Sequence, residues 1–267
     1  PAWERTRLRV PRENGTFFIE PAANVIKQQI DHPQECSGSL GDGPGMILNR
    51  SLPDFRDQAR SEVLAAAAGW TSELTGGSID VGAESPLIMT GHQPELFHPG
   101  VFAKNLATSL LAAQTNGVGL NLVVDNDLMA STRIQVPVGE RFQPALSTVE
   151  FDTPRAPLPW EEAQVMDSDR LSSFADRVAA CMRKWHVDPL VTECWPHVVA
   201  AAERRLAQTG KASLSECLTA GRALLEREWC QGNLELPISR LCETDAFGSF
   251  AAHVLLQAEE FRRIYNQ

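Results

Sequence analysis

Apolar residues recur at three-to-four spacing from about Pro53 to Leu74, where Phe55, Ala59, Val63, Ala66, Ala67, Trp70 and Leu74 mark one helical face. Ser51-x-x-Asp54 supplies a capping start, and the "TGGS" that begins at Thr75 stops the helix. Pro86 to Thr90 is a short apolar run that predicts a strand. Pro99 to about Gln114 predicts a helix with Phe102, Leu106 and Leu110 on one face, ended by Asn116-Gly117. "LNLVV", Leu120 to Val124, reads as a buried strand. The order strand, helix, strand over Pro86 to Val124 has the length of a parallel crossover unit.

Ile134 to Val138 and Ala145 to Phe151 predict two further strands, paired antiparallel across "GERFQP". After Pro159 the pattern turns helical. Leu171, Phe174, Val178, Cys181, Met182 and Trp185 mark one amphipathic helix, and Trp195, Val198, Val199, Ala202 and Leu206 the next. A third starts at the capping box Ser213-x-x-Glu216 and turns Leu214, Cys217, Leu218, Gly221 and Leu225 inward. "NLELPIS", Asn233 to Ser239, returns to strand character. Thr244-Asp245 caps a last helix bearing Phe250, Val254, Leu255, Ala258 and Phe261. The first 50 residues are loop-rich, with a strand candidate at Thr16 to Glu20 and a surface segment from Gln34 to Gly45.

The pattern predicts an α/β protein with a Rossmann-like parallel sheet core, a helical insertion and a helical C-terminal part. Residues 1–158 form the core with its loop-rich start, 159–232 the insertion, and 233–267 the returning core strand and last helix. The sequence stops at "RRIYNQ" without a C-cap signal, which leaves open whether the chain is a fragment.

With 43% hydrophobic and 22% charged residues, this composition supports a folded chain rather than a disordered one. The formal charge of −10 comes without any Lys/Arg-rich block, which argues against a nucleic-acid interface. No run approaches a membrane span and no apolar leader opens the chain, so no membrane partner and a cytoplasmic location are expected. The six cysteines form no Cys-x-x-Cys pair, so free buried thiols are expected rather than a disulfide framework or a zinc site.

Candidate chemistry concentrates in "IMTGHQPELFHPGVFAKN", Ile88 to Asn105. In open parallel sheets ligands sit beyond the carboxyl ends of the strands, where a turn presents free helix amides. Pro94 and Pro99 hold Gln93 and His98 extended, and Pro99 suits the first helical position, with His98 at or near the cap. The amides of Gly100, Val101 and Phe102 would then face a phosphate or carboxylate. Gly91 and Gly100 would let backbone approach the ligand. His92 and His98 would supply hydrogen bonds or charge, and Lys104 would reach back as a second cation. The alternative is an ordinary capped turn.

Asp125, Asn126 and Asp127 follow the second strand directly, at the same sheet edge, placed to bind a ribose, an amine or a hydrated Mg²⁺ ion. The bland reading is an acidic turn. Ser239 and Arg240, at the end of the third strand, are a weaker candidate pair. His186, His197 and His253 read as structural, and Asp80, Glu84, Glu161 and Glu162 as solvated.

"TGHQPELFHPG" resembles the T-G-Q-Q-x-x-L-F segment of the cysteine-adding ligase family of bacillithiol biosynthesis, with Thr90, Gly91, Gln93, Leu96 and Phe97 matching. Asp125-Asn126-Asp127 is similar in place and character to that family's acidic segment. His92 stands where the family has its first glutamine, Lys104 falls two positions earlier than the family's lysine, and the family's long coiled-coil arm is not found. "HPGV", His98 to Val101, is similar to the His-x-Gly-His loop of nucleotidyltransferases, with Val101 in place of the last histidine.

The resemblance implies a ligase-like or nucleotidyl-transfer enzyme. His92, His98 and Lys104 are its catalytic candidates, and Thr90, Gly91, Gln93, Gly100, Asp125, Asn126 and Asp127 its cofactor-binding candidates. An adenine nucleotide (ATP or ADP) with Mg²⁺ is the expected cofactor, and a small molecule, such as an amino acid or an aminated sugar, the expected substrate. A non-catalytic ligand-binding or self-association module, for instance a homodimer, is the competing reading.

Overall fold

A computed structural model of the protein describes residues 12, 13, 16, 18–32, 45–77, 81, 82, 85–95, 98–140 and 142–266. Leu96, Phe97, Cys36, Asp80 and Glu84, and the Gln34 to Gly45 segment apart from Gly45, lie outside them. The chain divides into two compact units, residues 1–42 and 43–267. In the first, Ala23–Asp31 forms a helix, α1, in which Lys27 pairs with Asp31. Periodicity did not reveal it, and none of its residues is buried. Of the Thr16 to Glu20 strand candidate, the described residues are not in a strand.

The second unit spans the strand-helix-strand segment, the helices after Pro159 and the returning strand. A two-residue hairpin, β1 (Met46–Ile47) and β2 (Arg50–Ser51), leads into the long helix α2, Leu52–Thr75. Ser51 caps it by accepting the Asp54 amide, and Gly76, at φ +70°, closes it in the left-handed region. Then follow β3 (Leu87–His92), α3 (Pro99–Gln114) and β4 (Val118–Val123), the strand-helix-strand unit read from the sequence. β3 and β4 pair in parallel, Leu87 opposite Val118 and His92 opposite Val123. The returning strand β9, Leu234–Pro237, pairs in parallel on the far side of β4, giving the order β3-β4-β9. The fold is therefore mixed α/β around a three-stranded parallel sheet.

Between β4 and β9 lie the short pair β5 (Leu128–Met129) and β8 (Leu158–Pro159), and the antiparallel hairpin β6 (Arg133–Glu140) and β7 (Gln143–Glu150). The first inserted helix is broken. Asp167 caps α4 (Ser168–Ser172), α5 runs Phe174–Met182, and a 3₁₀ turn to Trp185 ends at His186 in the left-handed region. α6 (Val191–Thr209) and α7 (Leu214–Trp229) follow, the latter capped by Ser213. After β9 come α8 (Ile238–Leu241), α9 (Asp245–Leu256), capped by Thr244, and α10 (Ala258–Tyr265).

Strand alternation divides the sheet into two unlike faces. Val118, Leu120, Leu234 and Leu236 turn to one side, where Leu64 and Ala67 of α2 meet them in an apolar cluster. Asn121 and Glu235 turn to the other side and are both fully buried. The edge of β9 is covered by α2, where the Thr71 hydroxyl accepts the Glu235 amide at 2.8 Å and donates to the Ala67 carbonyl of its own helix at 2.6 Å. A second, larger core joins Val123 and Trp70 to Val136 and Val149 of the hairpin and to Phe174, Trp195, Val198 and Leu218 of the inserted helices. No helix among the described residues is long and apolar enough to cross a membrane.

One expectation fails on α3. Leu110 is exposed, and the helix buries Asn105, Thr108, Ser109 and Ala112 instead of an apolar Phe102-Leu106-Leu110 stripe. The partners of that polar face explain the inversion: Asn105 donates to Glu226, Ser109 to the Gly232 carbonyl, and the Asn105 carbonyl accepts from Asn233.

Candidate functional site

β3, β4 and β9 end side by side, so the segments after His92, Val123 and Pro237 share one edge of the sheet. Thr90 is half-buried in β3, opposite Asn121. At Gly91 a Cβ would lie 3.2 Å from the Leu122 carbonyl oxygen, so glycine keeps the two strands closely apposed there. Lys104 reaches back from α3, its Nζ donating to the Gly91 carbonyl at 2.7 Å. Partial burial holds its pKa below the usual lysine value.

His98 is the N-cap of α3 and is extended (φ −100°, ψ 116°), as the following proline demands. Its Nδ1 accepts the Gly100 amide at 3.1 Å and its carbonyl accepts the Val101 amide at 2.9 Å. Two amides expected to face a ligand are thus occupied by His98 itself. At Gly100 a Cβ would lie 3.0 Å from the His98 ring. The glycine makes room for the cap.

The second loop divides its carboxylates between two jobs. Asp127 is exposed; its Oδ2 accepts from Gln93 Nε2 at 2.7 Å and its Oδ1 accepts the Leu128 amide at 2.8 Å. The Gln93 bond, followed by that amide, lowers its pKa. Asp125 is buried and turned toward the third strand end. Its Oδ1 accepts the Ser239 amide at 3.0 Å and its Oδ2 accepts the Ser239 hydroxyl. Asn126 between them is exposed. Backbone bonds from Glu161 to the Asp125 carbonyl and from Trp160 to the Asp127 carbonyl hold the loop from below. All three strand ends are thereby cross-linked. Arg240 is exposed and pairs with Glu243 at 3.5 Å.

His92 departs furthest from expectation. Being even with Asn121 and Glu235 in the pleat, its ring is buried beneath the edge rather than displayed at it. Nδ1 meets the Gln93 carbonyl, and Nε2 is buried without a hydrogen-bond partner. Burial pushes its pKa down to about 4, with the Arg222 and Lys104 charges adding to the effect, so the imidazole is neutral at neutral pH. In this position it brings no positive charge to a phosphate.

Beneath His92 lies a buried ionic cluster that the sequence reading missed. Arg222 Nη2 and Nη1 donate to Glu235 at 2.6 and 3.1 Å, and Nη1 also donates to Glu226 at 2.8 Å. Asn121 donates to Glu235 and Asn105 to Glu226, each at 2.7 Å. Burial opposes the charge on Arg222, but Glu235 and Glu226 outweigh it and raise its pKa. A signal existed: Arg222 lies four residues after Leu218 and three before Leu225, inside the apolar stripe of α7.

Among the described residues no group of three or more His, Cys, Asp or Glu side chains is placed to hold a metal ion. An apolar recess of about 290 Å³ opens beside the first turn of α3, lined by residues that include Pro99, Phe102, Ile134, Val136, Met182 and Leu190. No protein-family model and no curated protein matches the chain.

Proposed function

We propose that the carboxyl edge of the β3-β4-β9 sheet binds an adenine nucleotide or a similar phosphate compound. On this reading the protein is a ligase-like or nucleotidyl-transfer enzyme with a Rossmann-like core, distantly similar to the cysteine-adding enzyme of bacillithiol biosynthesis. One observation carries it: three parallel strand ends are tied into a single rim by Gln93–Asp127 and Asp125–Ser239, the place where open parallel sheets take ligands. Gln93, His98, Lys104, Asn126 and Asp127 are exposed along that rim. The adjoining apolar recess supplies a wall for a base or for the apolar part of an acceptor.

In this reading Lys104 neutralises phosphate charge, the His98 ring binds a phosphate oxygen, and Asp127 orients a ribose or an amine. Asp125 has both oxygens engaged by Ser239, and Asp127 has both engaged by Gln93 and Leu128. Among the described residues these two carboxylates therefore form no ready-made Mg²⁺ cage. A binding module without turnover is the second reading, favoured by the burial of His92 and by the bond of His98 to its own helix.

Thermal unfolding with and without MgATP tests the proposal. Stabilisation of the wild-type protein, lost in folded Lys104→Met and His98→Ala proteins, supports the rim as the site; equal stabilisation in both variants overturns it. ATP-dependent release of pyrophosphate or phosphate separates the enzyme from the binding module.

A further inference from the structure

The buried cluster beneath the rim does not balance as a set of ionised groups. Arg222 is one cation, Glu226 and Glu235 are two carboxylates, and all three side chains are at most 2% exposed. Glu235 is fully engaged, with both oxygens on Arg222 and a further donor from Asn121. Glu226 is the odd carboxylate. It shares Arg222 Nη1 and takes the Asn105 amide nitrogen.

The hydrogen bonds fail to balance at the same place. The Gln93 carbonyl can only accept, so the proton of a neutral His92 resides on Nδ1 and Nε2 is a bare acceptor. The Asn105 side chain is close enough to act on that ring as a hydrogen-bond partner, and its Oδ1, another acceptor, is buried with no donor aligned to it. Two buried acceptors at one contact are unfavourable unless a proton lies between them. The two ends of a carboxamide have the same shape, so turning Asn105 over repairs this contact, provided Glu226 can donate.

We infer that Glu226 is protonated in the folded protein at mildly acidic pH and donates to the Asn105 oxygen, while the Asn105 nitrogen donates to His92 Nε2. One proton, taken from solvent onto Glu226, then cancels the excess charge and satisfies all three groups. The other arrangement with the same proton count places it on His92 Nε2, facing Asn105 Oδ1. Burial of the ring, with the Arg222 and Lys104 charges adding to it, outweighs the Asn105 hydrogen bond that would favour that alternative. Around Glu226 stand Arg222 on its own helix, Glu235 from β9 and Asn105 from α3, and burial together with Glu235 raises its pKa against the pull of Arg222. Arg227 acts on Glu235, and Thr71 from α2 and Asn121 from β4 contribute neutral bonds to it.

Glu226 is thus a positioning residue. Through Asn105 it fixes the tautomer of His92, whose Nδ1–H holds the Gln93 carbonyl, while the Gln93 side chain holds Asp127. The inference is independent of any ligand.

The test is long-range ¹H–¹⁵N NMR of the histidine rings in the intact protein, with ¹³C-edited infrared spectra of the carboxyl groups. At pH 6 the expected result is a neutral His92 with Nδ1 protonated and Nε2 accepting a hydrogen bond, together with a protonated-carboxyl C=O band missing from E226Q. In E226Q the amide replaces the acid as donor, so the Nε2 signature persists and no longer changes above pH 7. In E226A that signature is lost. A proton on Nε2 in the wild-type protein, a wild-type carboxyl band unchanged in E226Q, or an identical Nε2 signal in E226A would each overturn the inference.

Discussion

Gln93 Nε2 donates to Asp127 Oδ2 at 2.7 Å, so a residue just after β3 and one just after β4 hold each other across the sheet edge, 34 positions apart in sequence. Both side chains are exposed, and the bond shapes the rim without carrying the fold. Exposed substitutions generally change stability by less than about 0.5 kcal/mol. Gln93→Ala and Asp127→Asn are therefore expected to unfold within about 2 °C of the parent while losing most of the stabilisation by MgATP. Differential scanning fluorimetry over a nucleotide titration checks both halves of this expectation.

Removal of the Arg222 guanidinium leaves two buried carboxylates facing each other. Breaking a buried ion pair from one side costs about 3–5 kcal/mol, and Arg222→Met is expected to fall in that range by urea unfolding. Replacing Arg222, Glu226 and Glu235 together by apolar residues of similar size is expected to recover most of the loss. A triple variant as unstable as Arg222→Met would show that the charges themselves hold this face of the sheet.

The pH dependence of stability carries a compensation that single variants expose. His92 has a folded pKa of about 4, below its ordinary 6.5, so the unfolded chain binds the extra proton and this residue makes stability rise with pH between those values. Glu226 is raised from 4.5 to about 7, so the folded chain binds the extra proton and stability falls as pH climbs through that window. Between about pH 4.5 and 6.5 each state holds one proton on this pair, and the wild-type contribution is nearly flat. Denaturant midpoints are expected to rise with pH in Glu226→Gln and to fall with pH in His92→Gln, relative to wild type.

At Gly221 α7 packs directly against α6. A Cβ there would lie 2.3 Å from Val198 Cγ2 and 3.2 Å from the Cys194 carbonyl, and Val198 is fully buried. Gly221→Ala gains helix propensity but must push the two helices apart, for a net loss of about 1–3 kcal/mol. Gly221→Ala with Val198→Ala relieves the clash, and a double-mutant cycle in urea should show a favourable coupling.

The elements legible in the sequence were those in which periodicity and capping agree. Ser51, Ser213 and Thr244 all accept the amides their spacing assigns to them, and the crossover from β3 through α3 to β4 lies where proline and Asn-Gly punctuation put it. What escaped was polarity on the inside. Glu235 sits between Leu234 and Leu236 in a strand short enough to read as continuous, and Arg222 with Glu226 has the spacing of an ordinary surface pair. Charged side chains are rarely buried, so pattern reading assigns them to solvent. The same blindness misplaced His92: one step of strand alternation separates the rim from the interior, and sequence motifs do not report which side a residue takes.

The polar inner face of α3 has a geometric consequence for the residues on its outer side. Apolar contact is non-directional, so leucines alone fix a helix's rotation only through the shape of their packing. α3 is seated on directed bonds, between Asn105 and Glu226, from Ser109 to Gly232 and from Asn233 back to the Asn105 carbonyl. Neighbouring residues of a helix differ by about 100° in azimuth, and three bonds of fixed direction admit a single phase. These bonds key the helix into place and set the bearing of Lys104 and of the His98 end on the sheet edge.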